Sequence, residues 1–380
     1  MIRHTGIDVF TSALNRIEQL YREGHRVVVS FSGGKDSGVC LELAIMAAAN
    51  AGRLPVEVAM RDEEIMLPGT FEYCERLLDR PEIDFHWFVA NQPVINVFNR
   101  KNPYWWVFDP ELDPSAWVRD PHPTTEFIED KNIHLMTSTK RFPPPEGKKL
   151  IVILGLRTSE SPNRKMGIHS SKSFLTKHPG QGGAYYARPI YDWRDGDVWK
   201  AHKDFQWDYN KAYDVMFRMG VKKNDLRIAP PTLVTGGIRV LGTMRKAFPR
   251  WFEQVCERLP GVRSAALFGD RALKPSRRLG ESWEECFQRT CIDEAPEWIA
   301  ERAARIRDTQ VGRHGRHSTS PFPEVAPCML CGSPMLASWK GLTKICYMGD
   351  PFCLKQQAVP YVEPEYFRPG AGTWGGKPTW

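Results

Sequence analysis

The sequence predicts an α/β protein built on a parallel sheet with helices on both faces, and three observations predict it. Short strand-like runs alternate with helix-periodic segments between Arg26 and Val89. A glycine loop, Ser32-Gly33-Gly34, joins the first run directly to its helix, and a wholly apolar run from Leu150 to Leu154 meets Gly155 at its end. Sheets of this kind bind ligands beyond the carboxyl ends of their strands, where both glycine loops fall.

Val9, Phe10, Ala13, Leu14, Ile17 and Leu20 recur at helical spacing, giving an amphipathic helix over residues 8–22 that Gly24 closes. Arg26 to Phe31 is a β-branched strand, and Val39, Leu41, Leu43, Ala44 and Ala47 lie in the helix after it. Val56 to Met60 reads as the second strand, Phe71 to Leu78 as a helix and Phe85 to Val89 as the third strand. From Asn102 to Pro145 the chain is rich in proline and tryptophan, has little periodicity and reads as a long active-site insertion. Leu150 to Leu154 is too apolar to be anything but a buried strand. Helices are expected at Asp195 to Lys203 and at Tyr209 to Met219, which Gly220 ends. Past Pro231 strand signals fade, and helical stretches at Thr243 to Glu257, Trp283 to Arg289 and Pro296 to Arg307 dominate. Arg313 to Pro323 reads as a polar, basic linker, and the tail after Pro360 is rich in glycine, proline and tryptophan.

A chain of 380 residues exceeds the usual single domain, so a main domain with a smaller appendage is expected. With 26% charged and 42% hydrophobic residues the composition is that of a globular protein and excludes a disordered or fibrous one. No apolar run approaches the ~18 residues of a membrane span, and the first residues lack a signal-peptide core, so a cytoplasmic location is expected. There, nine cysteines point to metal binding or catalysis rather than a disulfide framework. The net charge of +7 supports anionic partners, nucleotides or nucleic acid, without selecting among them.

The sharpest chemical signal is Ser30-Phe31-Ser32-Gly33-Gly34-Lys35-Asp36-Ser37. Paired glycines let backbone N–H groups converge on one anion, and the following helix adds its positive end. Lys35 contributes a charge, and Ser32 and Ser37 contribute hydroxyls. A plain strand-to-helix turn would explain the glycines but not the lysine and serines. A Walker A loop fails, because Val29 stands where its first glycine belongs and Asp36 follows the lysine.

Beyond Gly155, Arg157 and Arg164 offer planar forks for phosphate or sulfate oxygens, with Glu160 placed to hold one of them; the alternative is a surface ion-pair ladder. Asp62, in the acidic stretch after the second strand, would hold Mg²⁺ beside phosphates or else cap the next helix. Cys328, Cys331, Cys346 and Cys353 form a quartet that suits Zn²⁺ or an iron-sulfur cluster. Tyr104, Trp105, Trp106 and Trp117, interleaved with Arg100, Lys101 and Arg119, either stack on nucleic acid or pack over the sheet. Arg271, Lys274, Arg277, Arg278, Arg313 and Arg316 either track a phosphate backbone or form solvated faces.

The Ser30–Ser37 loop resembles the signature of the PP-loop (N-type ATP pyrophosphatase) superfamily. Gly155-Leu156-Arg157-Thr158-Ser159-Glu160-Ser161-Pro162-Asn163-Arg164, Arg188-Pro189-Ile190-Tyr191-Asp192-Trp193 with Asp197-Val198-Trp199, and Tyr209-Asn210-Lys211-Ala212-Tyr213-Asp214 resemble its phosphoadenosine-phosphosulfate (PAPS) reductase-like branch. The resemblance spans roughly residues 5–232. It is closest to proteins named after immunoglobulin-binding regulator A, with DndC and CRISPR-associated CysH-like proteins as wider relatives. It implies an adenine nucleotide alpha hydrolase-like (HUP-type) fold that binds ATP or PAPS with Mg²⁺. Together with Asp62 from the acidic stretch, the residues expected to bind the nucleotide are Ser30, Ser32, Gly33, Gly34, Lys35, Asp36, Ser37, Gly155, Arg157 and Glu160, with Lys35, Asp36, Arg157 and Arg164 at the chemistry.

The expected organisation is a nucleotide-binding domain over residues 1–232, with its aromatic insertion at about 100–146, a helical basic region over 233–320, and a four-cysteine segment and tail over 321–380. The expected reaction is displacement at the ATP α-phosphate, hydrolytic or adenylating, with release of pyrophosphate. The first alternative is PAPS or adenylyl-sulfate reduction, although the chain lacks the C-terminal Glu-Cys-Gly-x-His element of such reductases. The second is a non-catalytic nucleotide sensor or accessory subunit that binds protein or nucleic acid in a modification or defence system.

Overall fold

The computed structural model describes residues 6–90, 93–128, 137–160, 166, 173–177, 183–223, 226–228, 235–269, 271, 274–349 and 364–368. The chain divides into two compact units. The first comprises residues 1–92, 106–230 and 246–251; the second comprises 93–105, 231–245 and 252–380.

The first unit holds a seven-stranded sheet in the order β6-β3-β2-β1-β7-β9-β8. Its strands are β1 (Arg26–Phe31), β2 (Val56–Arg61), β3 (Ile83–Ala90), β6 (Glu126–Ile128), β7 (Leu150–Leu154), β8 (Leu175–Lys177) and β9 (Tyr185–Ala187). All neighbours run parallel except β8, which is antiparallel to β9. The central pair is β1 and β7, with Val28 opposite Val152 and Ser30 opposite Leu154. The fold is therefore the mostly parallel α/β sheet that the alternating pattern predicts. No helix among the described residues is long and apolar enough to cross a membrane.

Alternate residues of these strands supply two cores, as the period of a pleated strand requires. Val27, Val29, Phe31, Val58, Met60, Ile151 and Ile153 face the larger core, with α1 (Val9–Arg22), α2 (Lys35–Asn50), α3 (Pro68–Leu78) and α4 (Asp195–Asp204). Val28, Ala59, Phe88 and Val152 face a smaller core, closed by Phe142 and Ala184. Helix α2 is buried around most of its circumference, from Val39 through Ala48, as a helix in the middle of a core must be. Arg16 of α1 fastens the 189–192 segment, donating to Pro189 O at 2.6 Å and pairing with Asp192 at 2.7 Å.

The expected insertion is more ordered than its composition suggests. Its residues 126–128 form β6, which adds an edge to the main sheet. Tyr104, Trp105 and Trp106 are buried. Tyr104–Trp106 is β5, paired with β4 (Pro93–Ile95) as a separate two-stranded sheet.

The second unit is helical. The helix expected at 243–257 is two helices, Thr235–Ala247 and Pro249–Arg258, because Pro249 lacks an N–H and starts a new helix at its first turn. Ser282 caps Trp283–Phe287 through a reciprocal pair with Glu285, and a π-helical turn, Gln288–Asp293, follows. The helix expected at 296–307 runs on as Glu297–Gly315, so the stretch taken as a linker from Arg313 begins inside a helix whose residue His314 is buried. Phe287, Cys291, Ala303, Ile306, Phe322, Leu336, Trp339, Leu342 and Cys346 form the core of this unit, the last three from the helix Trp339–Cys346.

Candidate functional site

Strand β1 ends at Phe31, and Ser32, Gly33 and Gly34 turn the chain into α2. Gly33 has φ of +69°, and a Cβ there would lie 2.4 Å from Thr70 Cγ2, so both conformation and space require glycine. Gly34 is the helix N-cap and brings no side-chain acceptor, so the first-turn amides of α2 receive no cap from it. One of them, Lys35 N, donates to Tyr213 Oη at 3.1 Å. Burial pushes the Tyr213 phenol up, so it remains protonated.

The hydroxyls of the two loop serines lie against one another, Ser37 buried and Ser32 exposed. Ser37 Oγ donates to Gly34 O at 2.9 Å, lies 3.1 Å from Ser32 Oγ and accepts from Ser32 N at 3.3 Å. Ser30 is a strand residue, opposite Ala59 and Leu154 in the sheet. From outside the loop, the fully buried Asn210 donates through Nδ2 to Gly33 O at 3.0 Å and to Thr70 Oγ1 at 2.7 Å. The Tyr209–Asp214 segment thus buttresses the turn from behind.

At the end of β7, Gly155 lets the neighbouring strand approach α2 closely: a Cβ there would stand 2.7 Å from both Asp36 C and Ser37 N. Arg157 follows and is buried. Its Nε donates to Asp36 Oδ1 at 2.5 Å, its Nη1 to Ser159 Oγ at 3.2 Å and its Nη2 to Asp195 Oδ1 at 3.3 Å, with Glu160 3.6 Å from Nε. Lys35 Nζ reaches the same two aspartates, Asp36 Oδ2 at 3.1 Å and Asp195 Oδ1 at 3.4 Å. Two cations and three carboxylates therefore share the space over the glycine turn. Asp195 Oδ2 is buried and accepts no hydrogen bond among the described residues. A carboxylate oxygen in that state is suited to a cation or a ligand donor.

Of the residues expected here, Ser32, Gly33, Gly34, Lys35, Asp36, Ser37, Gly155, Arg157 and Glu160 come together. Arg164 lies outside the described residues. Asp195, Asn210 and Tyr213 belong to the site and were not assigned a role from sequence. Their signal was the segment pattern around Asp192-Trp193 and Tyr209–Asp214, which marks position without revealing contacts.

Asp62, expected either to hold Mg²⁺ or to cap the next helix, does not cap it, since the N-cap is Leu67, and its oxygens are taken up by protein donors. It is fully buried; Oδ1 accepts Glu64 N at 2.8 Å and the Arg119 guanidinium, and Oδ2 accepts Trp87 Nε1 at 3.1 Å. Glu64, also fully buried, accepts Phe108 N at 2.6 Å and Val118 N at 3.1 Å. These two carboxylates tie the 106–119 part of the insertion to the end of β2. Burial pushes Glu63, between them, above the usual carboxylate range.

The cysteine quartet is not assembled as expected. Cys328 and Cys331 come together with His314 and His317, and four donor atoms, one from each, lie within 4.8 Å of one another. Cys346 instead packs in the apolar core of the second unit, and Cys353 lies outside the described residues. A hydrogen bond to His317 pulls the Cys328 thiol down to about 6, while burial pushes Cys331 up.

No protein-family model matches the sequence, so the PP-loop and PAPS-reductase-like resemblance rests on the motifs quoted. A curated relative, the uncharacterized protein YbdN of Escherichia coli (strain K12), is 24% identical over 420 residues, covering 98% of this chain and 96% of that protein. Among solved structures, FMN adenylyltransferase of Candida glabrata matches at 13% identity with a TM-score of 0.35, over 56% of this chain and 62% of that one. The same enzyme in complex with FMN and the ATP analog AMPCPP matches at the same identity and score, over 64% of its chain.

Proposed function

We propose that the chain binds ATP through residues 1–232, with the phosphates over the Gly33–Gly34 turn, and directs an acceptor oxygen onto the α-phosphate with release of pyrophosphate. The observation that carries this reading is the convergence of Lys35 and Arg157 at the strand-end turn, both buried and both bonded to Asp36 and Asp195. In the displacement, the acceptor O–Pα bond forms as the bond from Pα to the leaving pyrophosphate oxygen breaks. Charge builds on the equatorial and leaving oxygens, so positioning and cationic donors suffice, and no protein nucleophile is required.

The Arg157 fork and Lys35 would face those oxygens, the first-turn amides of α2 would hold the phosphate chain, and Asn210 and Tyr213 would keep the turn from relaxing. Asp195, whose Oδ2 accepts no hydrogen bond among the described residues, is the carboxylate that would hold Mg²⁺, which supplies neutralisation of phosphate charge. Sulfate reduction by a cysteine thiolate is disfavoured: Cys40 and Cys74, the cysteines nearest in sequence to the loop, are buried, and burial holds both thiols far above their ordinary range.

Incubation with ATP and Mg²⁺, followed by chromatography that resolves the phosphate products, tests the proposal. Pyrophosphate with AMP or an adenylylated acceptor supports it. Tight ATP binding with no product across candidate acceptors points to a sensor instead, and sulfite release from PAPS with thioredoxin would replace it with a reductase.

A further inference from the structure

We infer that His314, His317, Cys328 and Cys331 form a closed, structural Zn²⁺ site that pins the end of the Glu297–Gly315 helix to the loop after it. The inference is independent of the nucleotide proposal, since all four residues lie in the second unit.

The geometry is the argument. Zn–S bonds of about 2.3 Å and Zn–N bonds of about 2.0 Å set tetrahedral donor separations at roughly 3.3–3.8 Å. His314 Nδ1 stands 3.3 Å from Cys331 Sγ, and His317 Nε2 stands 3.4 Å from Cys331 Sγ and 3.7 Å from Cys328 Sγ. These three separations fall on tetrahedral edges.

The surroundings orient the donors as a metal would need. The other nitrogen of His314, Nε2, lies 3.0 Å from Ser320 O; donating there leaves the Nδ1 lone pair toward the sulfurs. Such a second-shell carbonyl is the usual partner of a metal-bound imidazole. His314 is buried, and its ring packs edge-on to Phe322 in the unit's core, so its position is fixed. Arg313 donates to Cys331 O at 3.1 Å, and Cys328 N donates to Ala337 O at 2.9 Å, holding both ends of the Cys-x2-Cys turn.

The donor set selects the ion. Two thiolates and two imidazoles without a carboxylate suit Zn²⁺; they do not suit Mg²⁺ or Ca²⁺, and a cubane iron-sulfur cluster is ordinarily held by four cysteines. The spacing His-x2-His-x10-Cys-x2-Cys places His314 in the last turn of a helix, His317 just past its C-cap and the cysteines on a tight loop, with no position left open for a substrate.

The full chain, purified without chelator, is assayed for metal by plasma mass spectrometry. Stoichiometric zinc in a colourless protein is expected, with loss of zinc by about tenfold or more in His317→Gln and Cys328→Ser. Cys346→Ala with Cys353→Ser is expected to keep its zinc. Because the first variants can lose metal by misfolding, the stripped wild-type chain is also titrated with Co²⁺, which should give the visible spectrum of a tetrahedral site with two thiolates. The inference is overturned by a chain that neither carries zinc nor takes up Co²⁺ in that form. It is equally overturned by zinc that survives both single substitutions, or by metal lost from the Cys346/Cys353 variant and retained in His317→Gln.

Discussion

Arg157, just past the end of β7, and Asp36, in the first turn of α2, meet through Nε and Oδ1 at 2.5 Å, with both side chains largely shielded from water. The contact fixes a cation over the glycine turn before any ligand arrives. A bound phosphate would share or displace the carboxylate rather than recruit a mobile arginine, which limits the ordering that binding must supply.

Arg157→Lys keeps the charge and loses the planar fork, so one ammonium can no longer reach Asp36 through Nε and Asp195 through Nη2 in the same geometry. ATP affinity is expected to fall by roughly 10- to 100-fold, from charge-assisted hydrogen bonds worth about 1.5–3 kcal/mol. Lys35→Ala is expected to cost at least as much. Calorimetric titration with ATP and Mg²⁺ measures both, and unchanged binding by Lys35→Ala would remove the loop from the site.

Gly155→Ala should disturb α2 although it introduces a single methyl group. Its Cβ would fall 2.7 Å from backbone atoms of Asp36 and Ser37, which cannot swing aside as a side chain would. A loss of about 1–3 kcal/mol is expected from such overpacking, together with weaker ATP binding as the first helical turn shifts. Urea denaturation with a parallel binding assay is the check; full stability would show that β7 and α2 are not in the contact described.

The sheet was legible because its central strands are unbroken apolar runs; Leu150 to Leu154 leaves no other reading. The glycine turn and Lys35 were legible because they are contiguous. Asn210 and Tyr213 were not, since they reach Gly33 and Lys35 across 177 and 178 residues, and local periodicity carries no such information. Asp62 misled for the opposite reason: an acidic residue at a strand end resembles a metal ligand until Trp87, Glu64 and Arg119 are seen to occupy it. His314 and His317 were hidden by their basic, polar neighbours, which read as a linker. The cysteine spacing drew attention downstream instead.

Asp62→Ala is expected to destabilise the first unit by roughly 3–5 kcal/mol, because it strands the Arg119 charge and two N–H donors. Asp62→Asn, which retains an acceptor oxygen, should cost less. Neither should change ATP affinity in the folded protein if Asp62 serves to anchor the insertion. A selective loss of Mg²⁺-dependent ATP binding at unchanged denaturation midpoint would restore the metal-ligand reading.

His202 offers a pH dependence with a defined sign. It is buried against the first turn of α2, with Nε2 3.1 Å from Lys35 O, and burial lowers its pKa from 6.5 despite the nearby Glu42 and Asp36 carboxylates. The unfolded chain therefore binds a proton at a higher pH than the folded one does, and stability must rise with pH across that interval. The contribution is whole above 6.5 and is lost as pH falls from there through the folded value. Urea midpoints measured down that range should decline more steeply for the wild type than for His202→Gln, which can keep an N–H toward Lys35 O without titrating. ATP binding should decline with stability only as the first turn loosens. Parallel slopes for the two proteins would mean that His202 titrates as it does in water, and that its ring is not enclosed behind the glycine turn.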